Sequence, residues 1–213
     1  MKTSKATLAL VSFAALATAI PVRAADRCPI DFTVWGSFIH NSSSTITDPA
    51  FGVGINIADG AGAGLTTNVG LGTVLSAEVG AFFYRQSAEI VAGTQRIVGA
   101  GRLDSVPLHF IVQAHPNGRG DVDPYVGIGV AYQLFGNLHS SELDAAGIGV
   151  VAVTNKAALA AQVGLRWATS PHCGVLIDAK YVPLKATSQA AQGAPLDLQL
   201  DPFRISLGLG FRF

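Results

Sequence analysis

Five charged residues stand at alternate positions within otherwise apolar segments, and they are the residues of this sequence best placed to do chemistry. Carboxylates and cations inside an apolar surround are costly unless they pair with one another. The pattern therefore indicates either a polar channel that conducts solutes or a plug held together by ion pairs. The residues are Glu78, Arg166, Asp178, Lys180 and Arg204.

A second group of residues shares the face of these charges but is mostly apolar and aromatic. Such a group could bind a small apolar solute, because binding sites for small molecules are lined mainly by apolar side chains. It could equally be ordinary packing inside the protein. The residues are Trp35, Gly80, Phe82, Tyr84 and Ile111.

Residues for enzymatic or cofactor chemistry are harder to find. His109 is the one histidine well inside an alternating segment, and no serine stands at a spacing that singles it out as a partner nucleophile. No two histidines share a face at the spacing of metal ligands. The glycine run at Gly60–Gly64 precedes a strand, not a helix, so it lacks the context of a nucleotide-binding loop. We therefore expect no enzyme, no metal and no cofactor.

The elements that carry these residues alternate with a period of two, which is the period of a β-strand. In the segment Leu200–Phe213, Leu207 and Leu209 share one face, while Arg204 and Ser206 fall on the other. Similar alternation recurs along the chain and counts to about eight strands, with the stretch at 51–72 the least regular. We expect an all-β fold, an eight-stranded antiparallel up-and-down transmembrane β-barrel with these leucines facing lipid.

The composition agrees with a barrel. Mean hydropathy is +0.41 and 24 residues are glycine, yet apart from its first segment the chain has no apolar run of helical length. The 14 basic and 14 acidic residues balance, so nothing points to a nucleic-acid partner. A closed sheet satisfies the backbone groups that lipid cannot. Because an eight-stranded lumen is only wide enough for side chains, the ion-paired plug is favoured over the channel.

The start of the chain reads as a removable secretory signal. Lys2 and Lys5 precede the apolar stretch Ala6–Ile20, and the small residue Ala24 stands where a signal peptidase would cleave. A membrane anchor is disfavoured because the stretch is shorter than the ~20 residues of a spanning helix. The expected organisation is a signal peptide at 1–24 and an outer-membrane barrel at 25–213.

Connections between the expected strands alternate in length. Outer-membrane barrels have short periplasmic turns and long outer loops, so both ends of the barrel chain should be periplasmic. The third long connection contains the apolar segment at 145–153, which could fold over the barrel mouth as a lid or meet a partner. Short turns are expected at 72–73, 116–120 and 170–172, and long loops at 41–49, 86–101, 136–155 and 186–200.

Four stretches carry a resemblance to a known family. They are VPLHFIVQAHP at Val106–Pro116, PYVGIGVAYQLF at Pro124–Phe135, DAKYVPLKAT at Asp178–Thr187 and LDPFRISLGLGFRF at Leu200–Phe213. In this order they resemble the OmpW-type outer-membrane proteins over most of the chain after the signal. The resemblance implies a bacterial outer-membrane barrel whose narrow, largely hydrophobic lumen binds or passes small apolar molecules and releases them sideways into the membrane.

The expected partners follow from this assignment. They are outer-membrane lipids, small apolar solutes and the barrel-assembly machinery, which would engage the C-terminal strand ending in Phe213. An alternative function remains open, because loops readily carry binding functions. In that alternative the long outer loops bind partners as an adhesin or receptor does, and the barrel is a pedestal without transport.

Two cysteines, Cys28 and Cys173, are candidates for a disulfide. In the expected topology Cys28 precedes the first strand at its periplasmic end, and Cys173 occupies the periplasmic turn between the sixth and seventh strands. The periplasm is oxidising. About two strand spacings of ~4.8 Å would separate the two positions, so the residues before the first strand must fold under the rim to close the bond. The alternative is two free thiols.

Overall fold

A computed structural model describes residues 29–41, 46–47, 53–92, 95–190 and 196–213. The expected signal peptide at 1–24 lies outside these residues and stays a prediction. The described helix is α1 (Ser141–Ala145), and the strands are β1 (Ile30–Asn41), β2 (Ile46–Thr47), β3 (Val53–Gly70), β4 (Leu75–Ala92), β5 (Gln95–Ala114), β6 (Val122–Phe135), β7 (Val151–Val153), β8 (Lys156–Ala168), β9 (Cys173–Tyr181), β10 (Lys185–Ala190), β11 (Leu196–Gln199) and β12 (Pro202–Arg212). No helix among the described residues is long and apolar enough to cross a membrane.

Eight of these strands close into a barrel. They follow the order β1, β12, β9, β8, β6, β5, β4 and β3, and β3 pairs back with β1. Every neighbouring pair is antiparallel. The backbone N–H of Phe213 donates to the carbonyl of Ile30 at 2.9 Å, so the first strand holds the last. The expectation of a closed eight-stranded antiparallel barrel is confirmed.

Short turns lie at one end of the barrel, which we call the turn end, and the opposite end is the loop end. Side chains alternate between lumen and outer face as the sequence predicts. Leu207 and Leu209 on β12 are 63% and 59% exposed, whereas Arg204 and Ser206 are buried. Two outward positions depart from the prediction: Ala81 on β4 and Val106 on β5 are buried, and Val106 borders a recess in the wall.

One side of the barrel wall is taller than the other. β4 and β5 remain paired up to Ala92 and Gln95, whereas β6 and β8 stop pairing at Gln133 and Lys156. The expectation of a long loop at 86–101 is therefore wrong, since the described residues in that range continue the two strands. The outward side chains of Ser87 and Glu89 are polar, as is typical of a loop. A strand that rises above the apolar belt, however, needs no apolar outer face.

The least regular segment of the sequence, at 51–72, forms a single strand over its described part. The register of β3 with β4 shifts between Ile57 and Gly60, so an irregularity lies at Ala58 and Asp59. A bulge bends and twists a strand without ending it. β3 consequently continues past this point to pair with β1 along the full height of the barrel wall.

A cap packs on the loop end of the barrel. It consists of residues 136–155, with α1 and β7, and the described part of 182–201, where β10 pairs with both β7 and β11. Ser140 caps α1 by accepting a hydrogen bond from the Leu143 N–H at 3.1 Å. The first segment of the cap, 136–155, places four buried side chains in the apolar interior: Leu138, Leu143, Val151 and Val153. This packing favours a lid over a partner site for the apolar segment at 145–153.

Candidate functional site

A network of ion pairs crosses the lumen, and we call it the charged layer: Glu78, His109, Asp178 and Lys180. Lys180 Nζ lies 2.6 Å from Asp178 Oδ1 and 3.3 Å from Glu78 Oε1. His109 Nε2 lies 2.9 Å from the same Glu78 oxygen. All four side chains are buried. Because β4 and β9 are not neighbours in the sheet, the contact between Glu78 and Lys180 joins opposite parts of the wall.

Three uncharged side chains complete the charged layer, although sequence reasoning gave them no role. Gln162 Nε2 donates to Asp178 Oδ2 at 2.6 Å and to Glu78 Oε1 at 3.3 Å. Gln113 Nε2 donates to Glu78 Oε2 at 3.1 Å, and the Tyr125 hydroxyl donates to Asp178 Oδ2 at 3.1 Å. Both carboxylates are thereby satisfied. The available signal was the inward phase of these residues in their strands.

The structure places Arg166 apart from the charged layer. Its register partner is Leu176, nearer the turn end, whereas Gln162 faces Lys180. Arg166 borders a void of about 20 Å³ within a second polar group. We call this group the turn-end cluster, and its residues are Asp31, His115, Arg119, Asp123, Arg166 and Arg212.

The turn-end cluster closes the periplasm-facing mouth of the expected topology with arginines. Arg212 Nε donates to Asp31 Oδ1 at 2.7 Å, and Arg119 donates to Asp31 Oδ2. Burial lowers the pKa of the Arg119 guanidinium, and the Asp31 carboxylate opposes that shift. Nε and Nη1 of Arg119 and Nη1 of Arg166 have no hydrogen-bond partner among the described residues. Because Arg119 belongs to the turn between β5 and β6, its contact with Asp31 ties that turn to β1.

Ser76, His115 and Asp123 form a hydrogen-bonded chain with the connectivity of a nucleophilic triad. Ser76 Oγ lies 2.8 Å from His115 Nε2, and His115 Nδ1 lies 2.7 Å from Asp123 Oδ1. Sequence reasoning considered only His109, because His115 stands at the end of its strand. All three side chains are buried, and the void beside His115 and Asp123 measures about 20 Å³. That volume holds about one water, so the chain has no space for a substrate and acts as polar filling.

Three aromatic side chains named from the sequence lie together in the lumen, and we call them the aromatic cluster: Trp35, Phe82 and Tyr84. The rings of Phe82 and Tyr84 are stacked with centroids 6.0 Å apart. Trp35 Nε1 donates to Thr66 Oγ1 at 2.9 Å, and the Tyr84 hydroxyl lies 2.7 Å from Ser37 Oγ. Because both polar ends have partners, the rings are held in fixed orientations.

Arg204 lies against the aromatic cluster instead of joining the ion pairs. Its Cζ is 5.1 Å from the Phe82 ring centroid and 5.9 Å from the Tyr84 centroid. Nη1 and Nη2 of Arg204 have no hydrogen-bond partner among the described residues. The side chain is fully buried, and its positive charge lies over aromatic faces beside Lys180, its register partner on β9.

Gly80 and Ile111, also named from the sequence, offer no open space. A Cβ on Gly80 would lie 2.5 Å from both Cε1 and Nε2 of His109, so the imidazole fills that position. Ile111 belongs to a large group of buried aliphatic side chains towards the loop end, which we call the apolar cluster. The apolar cluster also includes Ile57, Leu103, Val182, Leu184 and Leu200.

The voids of the lumen that described residues border are small. Besides the void in the turn-end cluster, a void of about 10 Å³ is bordered by Ile39, Asn41, Leu103, Phe135 and Leu200. Each void has room for about one water molecule. The observed interior thus matches the ion-paired plug more closely than an open channel, as the narrow cross-section of eight strands predicts.

The wall between β4 and β5 contains a seam beside the aromatic cluster. The two strands pair in one register above and below it, but Phe82, Phe83, Val106 and Pro107 form no ladder pair with one another. Pro107 has no N–H to donate to a ladder. Phe82 faces the lumen and Val106 faces outward, so the seam is the part of the wall where backbone pairing is weakest between the aromatic cluster and the outside.

A recess of about 780 Å³ lies on the outer side of the seam. Three of its lining residues, Arg102, Asp104 and Val106, alternate along the outer face of β5, and cap residues 153–155 border it as well. Phe135 lines both this recess and the void of about 10 Å³ inside the barrel. Phe135 therefore lies between the recess and this void.

The remaining expectations concern cysteines and metals. Cys173 begins β9 at the turn end, is partly buried, and pairs in register with Phe211. Cys28 lies outside the described residues, so its disulfide with Cys173 stays a prediction. Within the described parts of the chain, no group of three or more His, Cys, Asp or Glu side chains is arranged to hold a metal ion.

Known proteins resemble this chain in sequence and in fold. It is 31% identical over 140 residues to an uncharacterized outer-membrane protein, y4mB, of Sinorhizobium fredii, and the alignment covers 60% of this chain and only 59% of that protein. The crystal structure of OprG from Pseudomonas aeruginosa superimposes with a TM-score of 0.78 at 18% identity, over 88% of this chain and 96% of OprG. The structure of AlkL in DMPC lipid bilayers, from solid-state NMR, gives a TM-score of 0.58 at 18% identity, over 88% and 90% of the two chains.

At such identities the structural likeness shows a shared fold, and the family follows from the sequence itself. A model of the OmpW family matches residues 34–213, which is well over half of the chain. The closed wall, the apolar outer face and the outer-membrane relative agree with that match. The chain therefore belongs to the OmpW family and is a barrel of the bacterial outer membrane.

Proposed function

We propose that this barrel binds small apolar molecules in the loop-end half of its lumen and passes them sideways through its wall into the membrane. The observation that carries the proposal is the seam formed by Phe82, Phe83, Val106 and Pro107. It lies between an apolar, aromatic interior and a recess in the wall. A molecule leaving by this route passes through the wall without crossing the charged layer or the turn-end cluster.

Passage straight along the barrel axis would be far more costly. A solute on that path must separate Lys180 from Asp178 and Glu78 and then displace the turn-end cluster. Breaking a buried ion pair costs about 3–5 kcal/mol because the remaining charge is left without a partner. Backbone separation at the seam breaks little, because the ladder pairs are already missing there.

The inner part of the sideways path suits apolar solutes, because the aromatic and apolar clusters lie there. Val106, Leu134 and Phe135 extend this apolar surface into the recess, whose lining also includes polar residues such as Arg102, Asp104 and Asn155. Each Å² of apolar surface that a solute removes from water contributes about 25 cal/mol. The cap supplies Leu138 and Val151 to the same interior, so its displacement would open the lumen from the loop end.

Partners and chemistry are part of the same proposal. Lipids surround the apolar outer face, and the strand that ends in Phe213 engages the barrel-assembly machinery. The proposal treats the barrel as non-enzymatic, because the Ser76–His115–Asp123 chain is sealed among buried side chains.

A reversible crosslink across the seam tests the route. Phe83→Cys with Val106→Cys places two thiols at positions that face each other across the seam, in a chain that also carries Cys28→Ser and Cys173→Ser. Uptake of the apolar dye N-phenyl-1-naphthylamine is measured in cells that produce the protein. Oxidation should lower the protein-dependent uptake several-fold, and a reductant should restore it.

The matched control is Ala77→Cys with Val112→Cys, a register pair of the same two strands where the ladder is intact. Its oxidation should leave uptake unchanged. Equal uptake by the oxidised and reduced seam variant would show that solutes do not use the seam. If neither the variants nor the unmodified protein raise uptake above that of cells without the barrel, the alternative function is favoured, in which the loops bind partners and the barrel is only a pedestal.

A further inference from the structure

We propose that Arg204 binds the carboxylate of an amphipathic ligand whose apolar part lies in the apolar cluster. The inference rests on the proposed function and narrows it, since it names the ligand class: small molecules with an apolar body and one carboxylate. No residue of the charged layer is needed for this contact. The site lies in the loop-end half of the lumen, next to the charged layer, because Arg204 pairs in register with Lys180.

Arg204 carries a buried positive charge. Arg204 is 2% exposed, and its Nη1 and Nη2 have no hydrogen-bond partner among the described residues. The carboxylates of the charged layer already accept bonds from Lys180, His109 and the two glutamines. A buried cation without a counter-charge is strongly unfavourable, so this guanidinium retains a large affinity for an anion.

Two aromatic rings orient the guanidinium of Arg204. The Arg204 guanidinium lies over the rings of Phe82 and Tyr84, which are nearly parallel, with an angle of 6° between their planes. Aromatic faces attract the cation and fix its plane. The two terminal nitrogens then present a planar fork, and a carboxylate is the group that such a fork binds through two parallel bonds. A single hydroxyl or a carbonyl would engage only one of them.

Aliphatic side chains lie next to Arg204 towards the loop end. From Arg204 towards the loop end, the next inward residues are Pro202 and then Leu200, which precedes β12. Beside them, Val182 and Leu184 follow Lys180 of β9 in the same direction. Three of these four residues belong to the apolar cluster: Val182, Leu184 and Leu200. A ligand whose carboxylate contacts Arg204 therefore has aliphatic surface directly beyond its head group.

The space for the ligand comes from the cap. The void bordered by Ile39 and Pro202, which flank Arg204, is about 10 Å³, and Nδ2 of Asn41 beside it has no hydrogen-bond partner among the described residues. That void holds one water. A ligand tail would take the place of cap side chains such as Leu138 and Leu143, replacing one set of aliphatic contacts with another.

Calorimetric titration of purified protein with octanoate and with 1-octanol tests the inference, because the two ligands share a chain length and differ in the head group. At about pH 8 octanoate is ionised. The unmodified protein should bind octanoate about ten-fold tighter or more, as one bidentate charge-assisted contact allows. Arg204→Gln should bind both ligands with similar affinity, and Arg204→Lys should keep part of the preference.

Arg166→Gln is the matched control, since Arg166 is another buried lumen arginine with an unpartnered Nη1 but belongs to the turn-end cluster. Its preference for octanoate should remain. The inference is overturned if the unmodified protein shows no preference, if Arg204→Gln keeps it, or if only Arg166→Gln loses it. If both Arg204 variants fail to fold, the preference of the unmodified protein for octanoate over 1-octanol decides the test. Binding of 1-octanol without a carboxylate preference would leave the proposed function standing, and that function is tested separately by the seam crosslink.

Discussion

Lys180 and Glu78 face each other across the lumen, with Nζ of the lysine 3.3 Å from Oε1 of the glutamate. They come from β9 and β4, which do not pair in the sheet. The contact therefore connects two parts of the wall through the interior rather than through backbone hydrogen bonds. It also divides the lumen, because the apolar cluster lies on its loop-end side and the turn-end cluster on the other.

Replacing Lys180 by methionine should strongly destabilise the barrel. Asp178 and Glu78 would each lose their cationic partner while they remain buried, which costs about 3–5 kcal/mol of unfolding free energy. Lys185→Met on β10 is the control, since Lys185 is exposed and its replacement should change stability little. Urea unfolding in detergent, followed by tryptophan fluorescence, measures both. Equal midpoints for the two variants would contradict a structural role for the charged layer.

Gly80→Ala should perturb the charged layer without changing any charge. The added Cβ would lie 2.5 Å from the His109 ring and 2.6 Å from Thr66 Cγ2, so the imidazole must move away from Glu78. Overpacking of this kind costs about 1–3 kcal/mol. Gly36→Ala is the comparison, because its Cβ would meet nothing within 4 Å on the outer face of β1. The same unfolding measurement applies, and a midpoint for Gly80→Ala as high as that for Gly36→Ala would mean that the ring yields freely.

Strand parity explains why so much of this fold could be predicted. Alternation alone separates Leu207 and Leu209 from Arg204, and closure follows because lipid offers no partners for a free sheet edge. Loop boundaries were harder, since outward residues such as Ser87 and Glu89 are polar, as they would be either in a loop or in a strand that stands above the membrane. Sequence composition therefore placed the end of β4 too early.

The grouping of the lumen residues depends on stagger, which parity does not contain. Strands in a barrel tilt and shift relative to their neighbours, so residues at similar counts from their turns reach different depths. Arg166 faces Leu176 while Gln162 faces Lys180, so counting from the turns placed Arg166 in the layer that Gln162 occupies. The Ser76–His115 contact was missed for the same reason, because it needs the register of β4 against the end of β5.

Ser76→Ala should lower stability and leave ester hydrolysis unchanged. Removing the hydroxyl deprives buried His115 Nε2 of its partner at 2.8 Å, and an unsatisfied buried group costs about 1–3 kcal/mol. Hydrolysis of p-nitrophenyl octanoate by purified protein should equal that of the variant. Ser87→Ala, at an exposed position of the same strand, controls for loss of a serine. Hydrolysis that disappears only in Ser76→Ala would show that Ser76, His115 and Asp123 act as a catalytic triad.

Cys28 and Cys173 should form a disulfide in the assembled protein. Cys173 pairs in register with Phe211, and Phe211 pairs with Phe32, so two strand spacings of ~4.8 Å separate Cys173 from β1 at the turn end. Cys28 stands four residues before Phe32, enough chain to turn under the rim and bring the two Cα atoms within the ~6.8 Å that a disulfide accepts. The periplasm favours the oxidised form.

The bond would close a loop that includes most of the barrel, and the chain-entropy model gives such a loop about 2–4 kcal/mol of stabilisation. Mass spectrometry of a non-reduced digest of outer-membrane protein should recover the two cysteine peptides linked. Cys173→Ser should lower the urea midpoint by an amount similar to that caused by a reductant in the unmodified protein, and a reductant should have no effect on the variant. Unlinked peptides from correctly assembled barrel would establish two free thiols at the periplasmic rim.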